Sequence, residues 1–100
     1  MIYSADQYGN QVVLRDRSGS QIGILTLGGG ELLGNSRSFV VVRYGNMIYT
    51  MNEDQQQLGS VPLPSDYRIQ NITEDGFTAR TGSMLQKYDM YCNHIGSTNV

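Results

Sequence analysis

Apolar residues in this chain recur in short runs and not at helical intervals. No window of a dozen residues keeps apolar positions three and four apart together with helix formers and a cap. Segments rich in Val, Ile, Tyr, Phe and Thr alternate instead with turn residues. They predict strands near 2–7, 11–16, 21–27, 31–34, 38–44, 47–52, 57–62, 67–73, 76–81, 84–89 and 94–98. A new strand begins about every 8–12 residues, the spacing of an antiparallel all-β domain. Two segments are apolar without full alternation. "FVVVR" (39–43) reads as a strand covered on both sides. "MIYTM" (47–51) puts Met47, Tyr49 and Met51 on one face and Ile48 and Thr50 on the other. A sheet apolar on both faces needs neighbours on both faces.

The same pattern is written more than once. "YGNQVVLRDRSGSQIGILTL" (8–27) returns as "YGNMIYTMNEDQQQLGSVPL" (44–63), and more loosely as "TGSMLQKYDMYCNHIGSTNV" (81–100). With Gly9, Gly45 and Gly82 in register, Val12, Ile48 and Leu85 align. So do Asp16, Asn52 and Asp89; Ile22, Leu58 and Ile95; Gly23, Gly59 and Gly96; and Leu27, Leu63 and Val100. The shifts are 36 and 37 residues without a gap. Upstream, Tyr3, Phe39 and Phe77 correspond, with one residue fewer before the third turn. A single repeat domain is expected, with copies at about 1–27, 28–63 and 64–100.

Turn chemistry explains the invariant positions. Gly-Asn or Gly-Ser between two strand-like runs suits a two-residue type II′ hairpin, whose first central residue needs positive φ. The polar tracts "DRSGSQ", "NEDQQQ" and "DMYCNH" then form a longer loop leading to a third strand. Gly23, Gly59 and Gly96 inside that strand predict a bulge or a close backbone approach. The spacers "GGGELLGNSRS" and "PSDYRIQNITEDG" each hold a fourth, leading strand, which the first copy lacks.

A four-stranded repeat with "FVVVR", Gly-Asn, "MIYTMN", a polar turn and "QLGSVPLP" resembles the blades of bacterial β-propellers of the pyrroloquinoline-quinone type and related families. The resemblance covers nearly the whole chain, about two and three-quarter blades. It implies propeller-like or stacked sheets and transfers no catalytic or cofactor residue to any position. Three blades do not close a ring, and open stacks leave exposed ends. Two chains completing a six-bladed ring, as a homodimer or other homo-oligomer, is therefore one expectation. A monomer folding its strands into a single barrel or sandwich is the alternative.

Composition narrows the function classes. Seven Lys+Arg against nine Asp+Glu leave a formal net charge of −2. That speaks against a nucleic-acid or anionic-membrane surface, which needs clustered positive charge. No apolar run is long enough to cross a bilayer, and "MIYSADQYGN" has no signal-peptide pattern, so a cytoplasmic location is expected. The lone Cys92 builds neither a disulfide nor a cysteine-rich metal site.

Candidate chemistry is sparse. Asp89, Cys92 and His94 form one local cluster, with Cys92 and His94 on the same side of an extended segment. In the repeat alignment His94 replaces Gln21 and Gln57, and Cys92 replaces Gly19 and Gln55, which reads as hairpin-loop positions. Glu53, Asp54, Asp66, Glu74 and Asp75 all fall in predicted turns, where solvation and Asx-type bonds account for them. "GGGE" (28–31) has no helix behind it to make an anion site. "NIT" (71–73) matches a glycosylation acceptor but reads as strand. Seven tyrosines suit either strand packing or a binding surface. Tyr8, Tyr44, Tyr49 and Tyr88, with His94, are the candidate ligand-contacting residues. The absence of Trp removes the usual stacking platform of a sugar site. The expectation is a non-catalytic β-repeat interaction module that self-associates and acts through protein contacts, with no metal and no cofactor. The alternative is a small-ligand or carbohydrate-binding, lectin-like module with sites recurring between repeats, for example at Tyr8, Tyr44 and Thr81. An enzyme would require Asp89, Cys92 and His94 to converge in a pocket.

Overall fold

The computed structural model describes residues 1–63 and 66–99. Its eleven strands are β1 (Ser4–Tyr8), β2 (Gln11–Arg15), β3 (Gln21–Thr26), β4 (Glu31–Asn35), β5 (Val40–Tyr44), β6 (Met47–Met51), β7 (Gln57–Pro62), β8 (Arg68–Ile72), β9 (Gly76–Thr81), β10 (Met84–Asp89) and β11 (His94–Asn99). They form three separate antiparallel meanders: β1-β2-β3, β4-β5-β6-β7 and β8-β9-β10-β11. We call these units 1, 2 and 3. No sheet closes on itself, so the chain is a stack of sheets and neither a single barrel nor a two-sheet sandwich. The stack is elongated, 40 × 25 × 19 Å.

Each unit is built by the same two turns. Tyr8 pairs with Gln11, and Tyr44 with Met47, across two-residue loops; Thr81 pairs with Met84 in the same way. Gly9, Gly45 and Gly82 take φ of 63°, 58° and 55°, whereas Asn10, Asn46 and Ser83 are not in the positive-φ region. That is the dihedral pattern of a type II′ turn at its first central residue. The second turn is a five-residue loop headed by Asp16, Asn52 or Asp89. The head side-chain oxygen accepts from two loop amides: Ser18 and Ser20, Asp54 and Gln56, or Tyr91 and Asn93. Its carbonyl accepts from the amide of Gly19, Gln55 or Cys92. Those three residues stand at φ of 89°, 64° and 64°.

The last strand of each unit (β3, β7 and β11), the third when the leading strand is not counted, carries a bulge immediately before its glycine. Leu14 pairs with Gly23 but Arg15 with Gln21, which leaves Ile22 unpaired; Leu58 and Ile95 are skipped in the same way. Pairing also corrects two details read from the alignment. Phe77 lies opposite Tyr88, as Val40 lies opposite Met51, so Phe77 occupies the position of Val40 and Gly76 that of Phe39. Counting back from the turn glycine, with no residue dropped, gives this register. Gln21, Gln57 and His94 are the first residues of their strands and not loop residues. The alignment of Val100 with Leu27 and Leu63 lies outside the described residues.

Alternation along the strands turns this stack into two cores. Val12, Leu14, Leu25 and Leu27 of unit 1 pack against Val40 and Val42 of unit 2. Phe39, Val41, Ile48 and Leu63 of unit 2 pack against Phe77, Ala79 and Tyr88 of unit 3. The run Phe39–Val42 is wholly inaccessible because its successive side chains enter different cores. Burying each such side chain stabilises the fold by about 1.5–3 kcal/mol before entropy is subtracted. Unit 2 is thus covered on both faces, and units 1 and 3 on one.

Polar contacts repeat across the two interfaces. The Gln7 side chain binds the edge of β4: Nε2 donates to the Gly30 carbonyl (3.0 Å) and Oε1 accepts from the Leu32 amide (2.9 Å). One unit on, Arg43 donates to the Tyr67 carbonyl (3.2 Å). Gln7 and Arg43 hold equivalent places, as do Gly30 and Tyr67, so each unit grips the leading strand of the next. Thr50 adds a second tie, its hydroxyl donating to the Met90 carbonyl at 2.6 Å.

Candidate functional site

The candidate residues do not assemble into one site. Tyr44 and Tyr49 meet edge to face, with centroids 5.3 Å apart and planes at 86°. Both pack on the core between units 1 and 2, and burial raises the Tyr44 phenol above its ordinary pKa. With Met51 and Gln57 they line a shallow depression on the surface. Tyr88 is buried, stacked on Phe77 at 5.3 Å, and its phenol is pushed up chiefly by the same loss of water. It belongs to the core between units 2 and 3, and it borders a surface cleft with Phe77, Thr78, Lys87 and Ile95. His94 is exposed; its Nε2 lies 2.6 Å from Gln86 Oε1 and its ring touches the edge of Tyr88. Tyr8 is 61% exposed on the outer face of unit 1, away from the others.

Recurrence is also missing. Tyr44 and Tyr49 correspond to Tyr8 and Val13 in unit 1 and to Thr81 and Gln86 in unit 3. The three pairs differ in size, aromaticity and polarity, so they do not form three copies of one pocket.

The Asp89–Cys92–His94 cluster is taken up by structure. The Asp89 carboxylate accepts from the Tyr91 and Asn93 amides at 2.9 Å each and from Asn93 Nδ2 at 3.2 Å, and the Asn93 bonds hold it below the usual carboxylate range. Cys92 is buried, with Sγ 3.6 Å from the Thr50 hydroxyl. Burial pushes its thiol pKa up, which disfavours the thiolate a nucleophile needs. His94 turns to Gln86, so acid, thiol and imidazole share no pocket. Among the described residues no group of three His, Cys, Asp or Glu side chains has the placement to hold a metal ion. Two of the turn acids are likewise engaged: Glu53 pairs with the Met1 amino group at 3.0 Å, and Glu74 accepts from the Arg37 amide at 3.1 Å.

The least satisfied surfaces are the two ends of the stack. Inside, glycines in the third strand lie under the loop of the following unit. A Cβ on Gly23 would stand 3.0 Å from the Glu53 carbonyl, and one on Gly59 would run into the Tyr91 carbonyl. At Gly96 nothing among the described residues lies within 4 Å of an added Cβ. The outward face of unit 3 presents Thr78, Leu85, Lys87 and Thr98, where unit 1 has Ala5, Val12, Leu14 and Leu25 facing its neighbour. The outward face of unit 1 presents Ser4, Asp6, Tyr8, Val13 and Arg15, where unit 2 has Val40, Val42, Tyr44, Tyr49 and Met51. Sequence alignment contained these substitutions, but only the pairing register shows which face each one occupies.

No family model matches the chain, and no curated protein matches it. Among solved structures it is similar to a protein of unknown function from Bacteroides caccae, with a TM-score of 0.58 and 14% identity over 98% of this chain. That likeness concerns the fold alone. The chain spans 39% of that protein's length.

Proposed function

We propose that the chain is a non-catalytic β-repeat interaction module that acts through protein contacts and associates with itself. One observation carries this reading. Opposite faces of the repeat meet at both internal interfaces, and one of them is left bare on unit 3 and the other on unit 1. The chemistry that would favour an enzyme is already committed, since Asp89 caps a loop and Cys92 fills the core. A lectin-like module with repeating sites is less well supported, because the Tyr44–Tyr49 pair has no counterpart in units 1 and 3. The polar residues at both ends favour a weak, reversible contact over an obligate one. Sedimentation over a wide concentration range tests the reading: the average mass is expected to rise above that of one chain. A single-chain mass at every concentration up to the millimolar range would remove it.

A further inference from the structure

We propose that self-association is head to tail, with the outward face of unit 3 receiving the outward face of unit 1 of a second copy in the geometry of the internal interfaces. The inference rests on the self-association reading and specifies its surfaces. Three features of unit 3 match the receiving side of units 1 and 2. Gly96 stands where Gly23 and Gly59 accept the next unit's loop, and it is uncovered among the described residues. Arg80 occupies the place of Gln7 and Arg43; unit 1 has no leading strand for it to grip, and it donates to the Gly82 carbonyl of its own hairpin at 3.2 Å. Leu85 keeps the apolar character of Val12 and Ile48, and Ile95, the bulge residue next to Gly96, is 63% exposed.

Unit 1 carries a matching loop and sheet face without the leading strand. Its loop Asp16–Ser20 has the hydrogen-bond pattern of the loops that cover Gly23 and Gly59. One pair of exposed charges is then complementary. Leu14 and Val42 share one buried cluster across the first interface. Their equivalents at the free ends are Lys87 on unit 3 and Asp6 on unit 1, both exposed. An apolar meeting point inside the chain thus becomes a cation opposite an anion where two copies meet. Such a pair selects orientation and rejects tail-to-tail or head-to-head docking, which would set like charges together. A heterologous interface of this kind closes a ring if its rotation permits and otherwise extends a filament.

Sedimentation of the full chain and its variants, with circular dichroism to confirm folding, provides the test. Lys87→Glu and Asp6→Lys each alter an exposed side chain and are expected to weaken association about tenfold or more. The double variant Lys87→Glu/Asp6→Lys restores the pair with reversed polarity and is expected to recover most of the loss. Gly96→Val fills the receiving position and is expected to abolish association while the monomer melts as before. Raising salt is expected to weaken the wild-type contact. Association that is unchanged in both charge variants and in Gly96→Val overturns the head-to-tail arrangement and leaves self-association standing. Equal loss in the double and single variants also overturns it. Absence of association in the wild type removes the underlying reading and this inference together.

Discussion

At the scale of single residues, the five-residue loop places the same demand on three different side chains. Gly19, Gln55 and Cys92 all occupy the left-handed region. For glycine this has no steric cost, whereas an L-residue there is strained by roughly 1–2 kcal/mol. Gln55 is exposed, so Gln55→Gly removes strain and gives up no packing. Part of the gain is lost because glycine leaves more freedom in the unfolded chain. A net stabilisation of about 0.5–1 kcal/mol is expected, read as a higher urea midpoint with unchanged slope. Cys92→Gly relieves the same strain but empties a buried position beside Thr50, and it is expected to destabilise. The head of the loop adds a pH dependence. The Asp16 carboxylate is lowered by the Ser18 hydroxyl and loop amides, and Asp89 by Asn93 and the Tyr91 amide. A depressed carboxylate stabilises the fold fully above its unfolded pKa, near 3.8, and that contribution is lost as pH falls through the lower folded value. Asn52 performs the same capping without a charge. An Asp16→Asn/Asp89→Asn variant is therefore expected to show a flatter fall in melting temperature below pH 4 than the wild type.

At the scale of strands and loops, one sequence position has three different consequences. Gly23, Gly59 and Gly96 align, yet they are covered loosely, tightly and not at all. Alanine at the three sites is expected to give a graded series. Gly96→Ala should stay within about 0.5 kcal/mol of wild type. Gly23→Ala presses on the Glu53 carbonyl and is expected to cost about 1 kcal/mol, while Gly59→Ala must displace the Tyr91 backbone and is expected to cost about 3 kcal/mol or prevent folding. Equal effects at all three positions, measured by denaturant unfolding, would contradict the interface geometry. The series also marks what the sequence made legible. All eleven strands, the tight type II′ turn and the repeat period follow from local chemistry: positive-φ glycines and short β-branched runs; the second turn was legible as a polar loop, without its Asx-type heads. The bulge before each third-strand glycine was legible for the same reason. Which glycine is covered was not, because the covering carbonyl comes from a loop 30 or 32 residues away. Phe77 shows the same limit. Its likeness to Phe39 is one of residue type, while its place is set by pairing opposite Tyr88, where the period-two alternation turns it to the opposite face of its sheet and so back onto Phe39 in the same core. The candidate tyrosines were equally ambiguous, since a strand tyrosine faces a core or solvent according to a register that composition does not reveal.

At the scale of the whole molecule, stability is a sum of unit and interface contributions, and the two interfaces meet in unit 2. Both faces of that sheet are covered, and Val40, Val41 and Val42 in β5 with Ile48 and Thr50 in β6 are wholly inaccessible. Units 1 and 3 each turn a polar face to solvent. Local opening of a terminal unit breaks one interface, whereas exposing β5 or β6 requires breaking two. Hydrogen exchange under native conditions is therefore expected to rank the strands in three tiers. Amides of β5 and β6 should exchange most slowly, near the limit set by global unfolding. Those of β2, β9 and β10, central in their sheets but covered on one face, should follow. The edge strands β1, β3 and β11 should exchange first. The ranking bears directly on the proposed head-to-tail contact. Docking a second copy covers the outer faces of units 1 and 3 and adds no contact to unit 2. Raising the protein concentration is thus expected to slow exchange in β2, β9 and β10 and, because association raises the free energy of global unfolding, in β5 and β6 as well. Exchange in β2, β9 and β10 that does not respond to concentration would contradict a contact at the ends of the stack.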